Sequence, residues 1–365
     1  MDNSDPVPSS GQESRASSLV SLASLCAALV CVFWGLRQLD GPTARYLRTI
    51  TTPEGGGTLT VPWMAFVSHA GNWIGDGRQL LIVSAILLAV GWMLPVSRGL
   101  VIGVQTLWAH GLATVLVHTV KHLVGRPRPK FSASGEWSIA PSLASGFDSF
   151  PSGHTTATFA LAVVLSRRFP LLASLFIGIA AFVALSRVLR GSHFPSDVFG
   201  GWVLGTVSGM VAAAPWKDWR LSIESALYQT AIGTVWGFAL LWALAVPVEA
   251  GPEGLILTGV GASLVVVGVW SRMRMRWSSH AAATMRSAQG PMMAMAIGLS
   301  LMSTAPIVMA AAGLLCVAFW FRGDPVQNIA EESCWIPVVR ECELAAVVLL
   351  SLAVLVAGRG VLPWS

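Results

Sequence analysis

"DSFPSGHTTATFALAVVLSRRFP", residues 148–170, decides how the chain is read. Its right-hand part is a run of small and apolar residues closed by Arg167 and Arg168, the pattern of a helix crossing a bilayer. Its left-hand part puts Pro151, Ser152, Gly153 and His154 in the first turn of that helix. A helix N-terminus presents N–H groups without internal partners and the positive end of the helix dipole. Gly153 lets a ligand approach the backbone closely, and Ser152 can donate a hydroxyl hydrogen. The turn therefore reads as a phosphate cradle built onto a transmembrane helix.

The composition supports the membrane reading. Of 365 residues, 54% are apolar and 11% are charged, with a mean hydropathy of +0.67. A soluble domain carries about 25% charged residues, and a soluble globule could not hide this much apolar surface. The net charge of +5 and the pI near 9.3 suit loops at lipid headgroups, and no basic repeat with interleaved aromatics points to nucleic acid. Cys26, Cys31 and Cys316 lie in apolar runs, as packing residues do. Cys334 and Cys342 flank "CWIPVVREC", and a disulfide between them is expected if that loop faces an oxidising compartment.

Working outward, the polar stretch 1–15 reads as a disordered tail. Apolar runs suited to crossings then follow at Ala16–Leu36, Leu80–Leu94, Leu100–Val120, His154–Arg168, Leu171–Leu189 and Val198–Pro215. Further runs lie at Ala226–Val248, Gly254–Trp270, Pro291–Phe321 and Leu344–Leu362. The expected fold is all-α and polytopic: a six-helix core over 16–215 and about four extra helices in an extension over 216–365. Pro306 interrupts Pro291–Phe321, which fits either one kinked helix or a hairpin. The stretch "PEGGGTLTVPWMAFVSHAGNWIGDG" is too polar to cross and too apolar to float, so an interfacial segment is expected there. With the N-terminus inside, setting aside six cations in the two motif loops leaves eleven Lys/Arg on the inner side against six outside. That bias places the polar first turn at 151–154 on the outer side.

Three segments then fall at the outer ends of four helices. They are "KHLVGRPRPK" with Lys121, Arg126 and Arg128, "PSGH", and "SRVLRGSHFPSD" with Arg187, His193 and Asp197. Lys121, Arg128 and Arg187 gather three cations beside a bilayer, which is costly unless an anion neutralises them. The planar arginine fork fits phosphoryl oxygens. Of the two histidines, one can attack phosphorus and the other can pass a proton. Asp197 stands four residues after His193, where it can accept a hydrogen bond from that ring and fix its tautomer.

In this order, K-x6-R-P, P-S-G-H and S-R-x5-H-x3-D resemble the three signature motifs of the type 2 phosphatidic acid phosphatase family, whose helical core is shared with vanadium-dependent haloperoxidases. The resemblance covers roughly residues 16–215. It implies that His193 forms a phosphohistidine, that His154 protonates the leaving group and then activates water, and that Asp197 orients His193. It further implies that Lys121, Arg128, Ser152, Gly153 and Arg187 hold the phosphate. Family spacing selects Arg128 from "RPRP", leaving Arg126 as a flanking cation.

The expected activity is hydrolysis of a membrane lipid phosphate or diphosphate at the outer face of a bacterial inner membrane. Candidate substrates are phosphatidic acid, phosphatidylglycerophosphate, undecaprenyl diphosphate and lipid A phosphate. Transfer of the phosphoryl group to an acceptor lipid is the nearest alternative, and a transporter is a more distant one. No metal or other cofactor is expected: His118 and His122 are four apart on one helix but lack an acidic or Cys partner nearby in sequence. The lipid phosphate is the expected partner, and the sequence leaves the oligomeric state open.

Overall fold

The computed structural model describes residues 10–51, 60–93, 97–132, 140–214, 219–245, 251–277, 285–322, 348 and 351. The Cys334–Cys342 loop and nearly all of Leu344–Leu362 lie outside these residues. The described chain is helical: α1 (Ser10–Thr49), α2 (Pro62–Ile74), α3 (Gly77–Met93), α4 (Ser97–Val124), α5 (Gly153–Arg168) and α6 (Ala173–Leu189). It continues with α7 (Pro195–Ala213), α8 (Trp219–Ala245), α9 (Pro252–Trp277), α10 (Met285–Ser303) and α11 (Pro306–Arg322). Among the described residues four spans are long and apolar enough to cross a membrane: Ser17–Thr49, Gly99–Val124, Pro170–Leu189 and Pro252–Arg274. A fifth forms if the bent pair α2 and α3 is one span. Large apolar side chains such as Trp92, Leu255 and Ile256 point outward, as lipid-facing residues do.

Two units divide the chain. One comprises Phe33–Thr230 with Pro363–Ser365, and α5 is its axle. Thr155 through Val164 are all buried in an unbroken run, because α4, α6 and α7 pack around the helix. Such a helix needs no lipid-compatible face, which lets it carry Thr155, Thr156 and Thr158 and stop at 16 residues. Its contact with α7 is close: a Cβ on Gly205 would stand 2.4 Å from the Thr156 carbonyl oxygen. Small residues at such positions let backbones approach where lipid supplies no hydrophobic drive between helices.

The other unit comprises Met1–Val32 and Ala231–Leu362. Within it α9 and α10 pack at Gly261 and Gly298, where an added Cβ would stand 2.5 Å from the opposite carbonyl. Trp236, Val265, Met295, Leu299 and Met302 fill the core beside them. Ser21 on α1 donates to the Ala318 carbonyl on α11 at 2.6 Å.

One element differs from the sequence reading and two add to it. First, α1 starts at Ser10, within the stretch read as a tail, and runs on past Leu36 and through Pro42 to Thr49. Its polar last turns are stable because Asp40, Thr43, Ala44 and Leu47 are buried. Second, the segment expected at the interface forms α2 against α6 and joins α3 with a 50° bend. Pro62 suits its first turn, where a missing N–H costs nothing. Third, Pro291–Phe321 is broken between α10 and α11, with Thr304 at φ 57° and Pro306 opening the second helix.

Candidate active site

Four helix ends meet: the C-termini of α4 and α6 and the N-termini of α5 and α7. Gly125 closes α4, with its N–H on the Lys121 carbonyl at 2.8 Å and φ +63°, a left-handed conformation that glycine adopts without strain. A Cβ there would also meet the Ala140 carbonyl at 1.7 Å, so the position has no room for a side chain. Backbone bonds then stitch the segments together. Ser149 N–H donates to the Arg126 carbonyl, Arg128 N–H to Gly146 and Ser152 N–H to Asp197, each at 3.0 Å. Lys121, Arg128, Ser152, Gly153, His154, Arg187, His193 and Asp197 are all placed in this one region.

The cations are held differently. Lys121 Nζ donates to the Asp148 carbonyl oxygen at 2.8 Å and stands 3.5 Å from its carboxylate. Arg128 grips the same carboxylate with two bonds, Nε at 2.8 Å and Nη2 at 2.6 Å. Burial pushes the Asp148 carboxyl up, but bonding to Arg128 and the charges of Lys121 and Arg128 outweigh it and hold the pKa at about 2. Arg187 is buried and donates from Nη1 to Asn72 on α2 at 2.5 Å. Its Nε is buried without a hydrogen-bond partner among the described residues, a cationic donor left for an incoming acceptor.

Ser152 is the N-cap of α5 and is fully buried, with its hydroxyl accepting from Thr155 at 2.9 Å. Gly153 keeps the entrance open, since even a Cβ would lie 3.8 Å from Lys121 Cε. His154 faces the α2–α3 bend, where a Cβ on Gly75 would press on its ring at 3.2 Å.

His193 lies in a turn made by Gly191 at φ +62°, which folds the His193 N–H back onto the Arg187 carbonyl at 3.3 Å. Its Nδ1 bonds the Ser149 carbonyl oxygen at 2.7 Å. A carbonyl can only accept, so Nδ1 carries the hydrogen and Nε2 keeps its lone pair. Burial and the charges of Lys121, Arg187 and Arg128 drive the His193 pKa well below its ordinary value, which keeps the ring neutral at pH 7.

The direct Asp197–His193 hydrogen bond expected from sequence is absent. The carboxylate stands 3.9 Å from Nδ1, because its oxygens are engaged elsewhere. They accept from Ser149 Oγ at 2.6 Å, the Phe194 N–H at 2.8 Å and Arg126 Nη1 at 2.6 Å. Asp197 is therefore linked to the ring through Ser149, whose hydroxyl it holds and whose carbonyl holds His193.

Arg126 is likewise no flanking cation. It is fully buried, lies 4.1 Å over the Phe194 ring, and bridges Asp197 to Asp40 of α1 with an Nη2 bond of 2.7 Å. Asp40 in turn accepts from the Ser196 N–H at 3.1 Å and its hydroxyl at 2.5 Å, at the start of α7. Sequence reasoning missed Asp40, Asn72, Asp148 and Ser149. His118 and His122 stack with ring centroids 6.3 Å apart, and His122 bonds the Ser142 carbonyl at 3.1 Å. Among the described residues no three His, Cys, Asp or Glu side chains are grouped to hold a metal.

A helical membrane bundle with clustered cations, a helix N-terminus and two histidines at one end defines the class of membrane-embedded phosphoryl-processing enzymes. Comparison with known proteins agrees, and the chain belongs to the PAP2 superfamily, which it matches over residues 102–220. It is thus an integral membrane phosphatase that acts on phosphoric esters. The chain is 32% identical to a lipid A 1-phosphatase of Rhizobium johnstonii over 163 residues, 40% of this chain and 67% of the relative. It is 35% identical to a decaprenylphosphoryl-5-phosphoribose phosphatase of Mycobacterium tuberculosis, covering 41% of this chain and 79% of that one. An Escherichia coli K12 protein named as a putative undecaprenyl-diphosphatase is 32% identical over 43% of this chain and 76% of its own length. No solved structure matches the chain.

Proposed function

We propose that the protein removes phosphate from a lipid phosphate or lipid diphosphate at the outer face of a bacterial inner membrane, through a phosphohistidine on His193. The observation that carries the reading is the Nδ1 bond of His193 to Ser149, which leaves Nε2 unprotonated within electrostatic reach of Lys121, Arg128 and Arg187. Those three cations, Ser152 and the Gly153 N–H hold the phosphoryl oxygens. Nε2 attacks phosphorus as the ester P–O bond breaks, and His154 gives its proton to the departing oxygen. Water then attacks the phosphohistidine and yields a proton to His154. The N–P bond breaks, releasing inorganic phosphate. No metal is needed, because the cations stabilise the charge that a metal would otherwise neutralise.

The relatives named above act, by their names, on lipid A, a decaprenyl carrier and an undecaprenyl diphosphate, which favours a large lipid headgroup or isoprenoid phosphate as substrate. Residues 16–215 form the catalytic core of this proposal, and 216–365 an extension with another role. Phosphate release should be measured from a panel of lipid phosphates supplied to right-side-out and inverted membrane vesicles, with and without EDTA. Release from the outer leaflet of right-side-out vesicles, undiminished by EDTA, is expected. Release confined to inverted vesicles, or lost in EDTA and restored by magnesium, contradicts the orientation or the chemistry respectively.

A further inference from the structure

Asp148 is an acidic residue set among groups that serve an anion. Its carboxylate takes both Nε and Nη2 of Arg128 and lies 3.5 Å from Lys121 Nζ. This two-pronged grip is the geometry by which a guanidinium binds phosphate. The side chain is 30% exposed on the loop before α5, so it has a path to water. Lys121 is also tied to the Asp148 main-chain carbonyl, a bond that can persist if the carboxylate leaves. By contrast, among the described residues Arg187 bonds the neutral Asn72 at Nη1, and its Nε has no hydrogen-bond partner.

We infer that Asp148 is an internal competitor for the phosphate site: its carboxylate holds the Arg128 fork, yields it to an incoming phosphoryl group, and reclaims it to help expel product phosphate. The inference rests on the phosphate-site reading of Lys121, Arg128 and Arg187. Three formal positive charges and the one negative charge of Asp148 leave two, the charge that balances a phosphate dianion. Without the carboxylate the same pocket would carry three and hold its product more tightly. Asp148 stays ionised across the working pH range, so the competition does not depend on pH near neutrality.

Competitive inhibition by inorganic phosphate and by orthovanadate tests the inference on the full-length protein in detergent. In the wild-type protein both should compete with substrate. Asp148→Asn, which keeps the side chain's shape and removes its charge, should lower both inhibition constants by about tenfold. Asp148→Ala should do the same, and Asp148→Glu should stay near the wild-type value. A merely structural role would loosen the site and weaken inhibition, so tightening is its opposite. Unchanged or higher inhibition constants in both Asn and Ala variants overturn the role of Asp148 while leaving the phosphate site standing. Failure of either anion to compete in the wild-type protein instead refutes the phosphate-site reading, and the Asp148 inference with it.

Discussion

Arg126 carries a positive charge where no solvent reaches, and its guanidinium is shared between Asp40 and Asp197. A buried charge is tolerated when partners satisfy it, and removing one partner strands the rest. Arg126→Ala would leave two buried carboxylates without their cation, so a loss of about 3–5 kcal/mol is expected. Thermal unfolding in detergent should show a markedly lower midpoint, and Arg126→Lys should recover only part, because an ammonium lacks the fork that serves both acids. A melting midpoint unchanged by Arg126→Ala would contradict the bridging role. At this scale the sequence spoke clearly only for residues whose chemistry is local to a motif. Lys121, Arg128, Ser152, Gly153, His154, Arg187 and His193 sit in short patterns, and the fold brings those patterns to one region. Arg126 is not legible in this way, because its partner Asp40 is 86 residues away and its meaning exists only after folding. Asp197 was misread for a related reason. The i,i+4 spacing permits contact with His193, yet the start of α7, Ser149 and Arg126 all compete for the same two oxygens.

Among the elements, α2 shows packing that hydropathy alone does not reveal. Its mixture of Trp, Asn, Ser and Gly resembles an interfacial stretch, but the small residues serve a close approach to α6. A Cβ on Gly71 would come within 2.3 Å of Ser186 Cβ. That approach brings the next residue, Asn72, to Arg187. Gly71→Val should therefore push α2 away from α6 and separate Asn72 from Arg187. Overpacking of this kind costs about 1–3 kcal/mol in stability, and here it should also raise KM for substrate, because Arg187 loses its support. Steady-state kinetics of Gly71→Val beside Gly71→Ala, where the clash is smaller, would check this. Equal KM values in Gly71→Val and the wild-type protein would mean that α2 does not position Arg187. The helices α4 to α7 were legible because each has an apolar run and a motif at its end. The last turns of α1 were not, because an apolar count stops at Leu36 while burial continues through Asp40 and Leu47.

At the scale of the whole molecule, the packing of α4 to α7 solves one problem: it brings residues from segments far apart in sequence to one end of a helical bundle. The α5 axle sets Ser152 and His154, while the turn after α6 delivers His193 beside the Ser149 carbonyl. In the proposed mechanism this assembly runs phosphoryl transfer through His193, with His154 as acid and base. Rapid-quench labelling with a 32P-labelled lipid phosphate, or a labelled ester with a better leaving group, tests it most directly. Such an ester needs little help in the first step, so His154→Ala should still phosphorylate His193 and then stall for want of an activated water. Acid-labile, base-stable label is expected to accumulate on His193 in His154→Ala, and none in His193→Ala. Label retained in His193→Ala, with His154→Ala refractory to every substrate, would contradict the assignment and reverse the two histidines' roles.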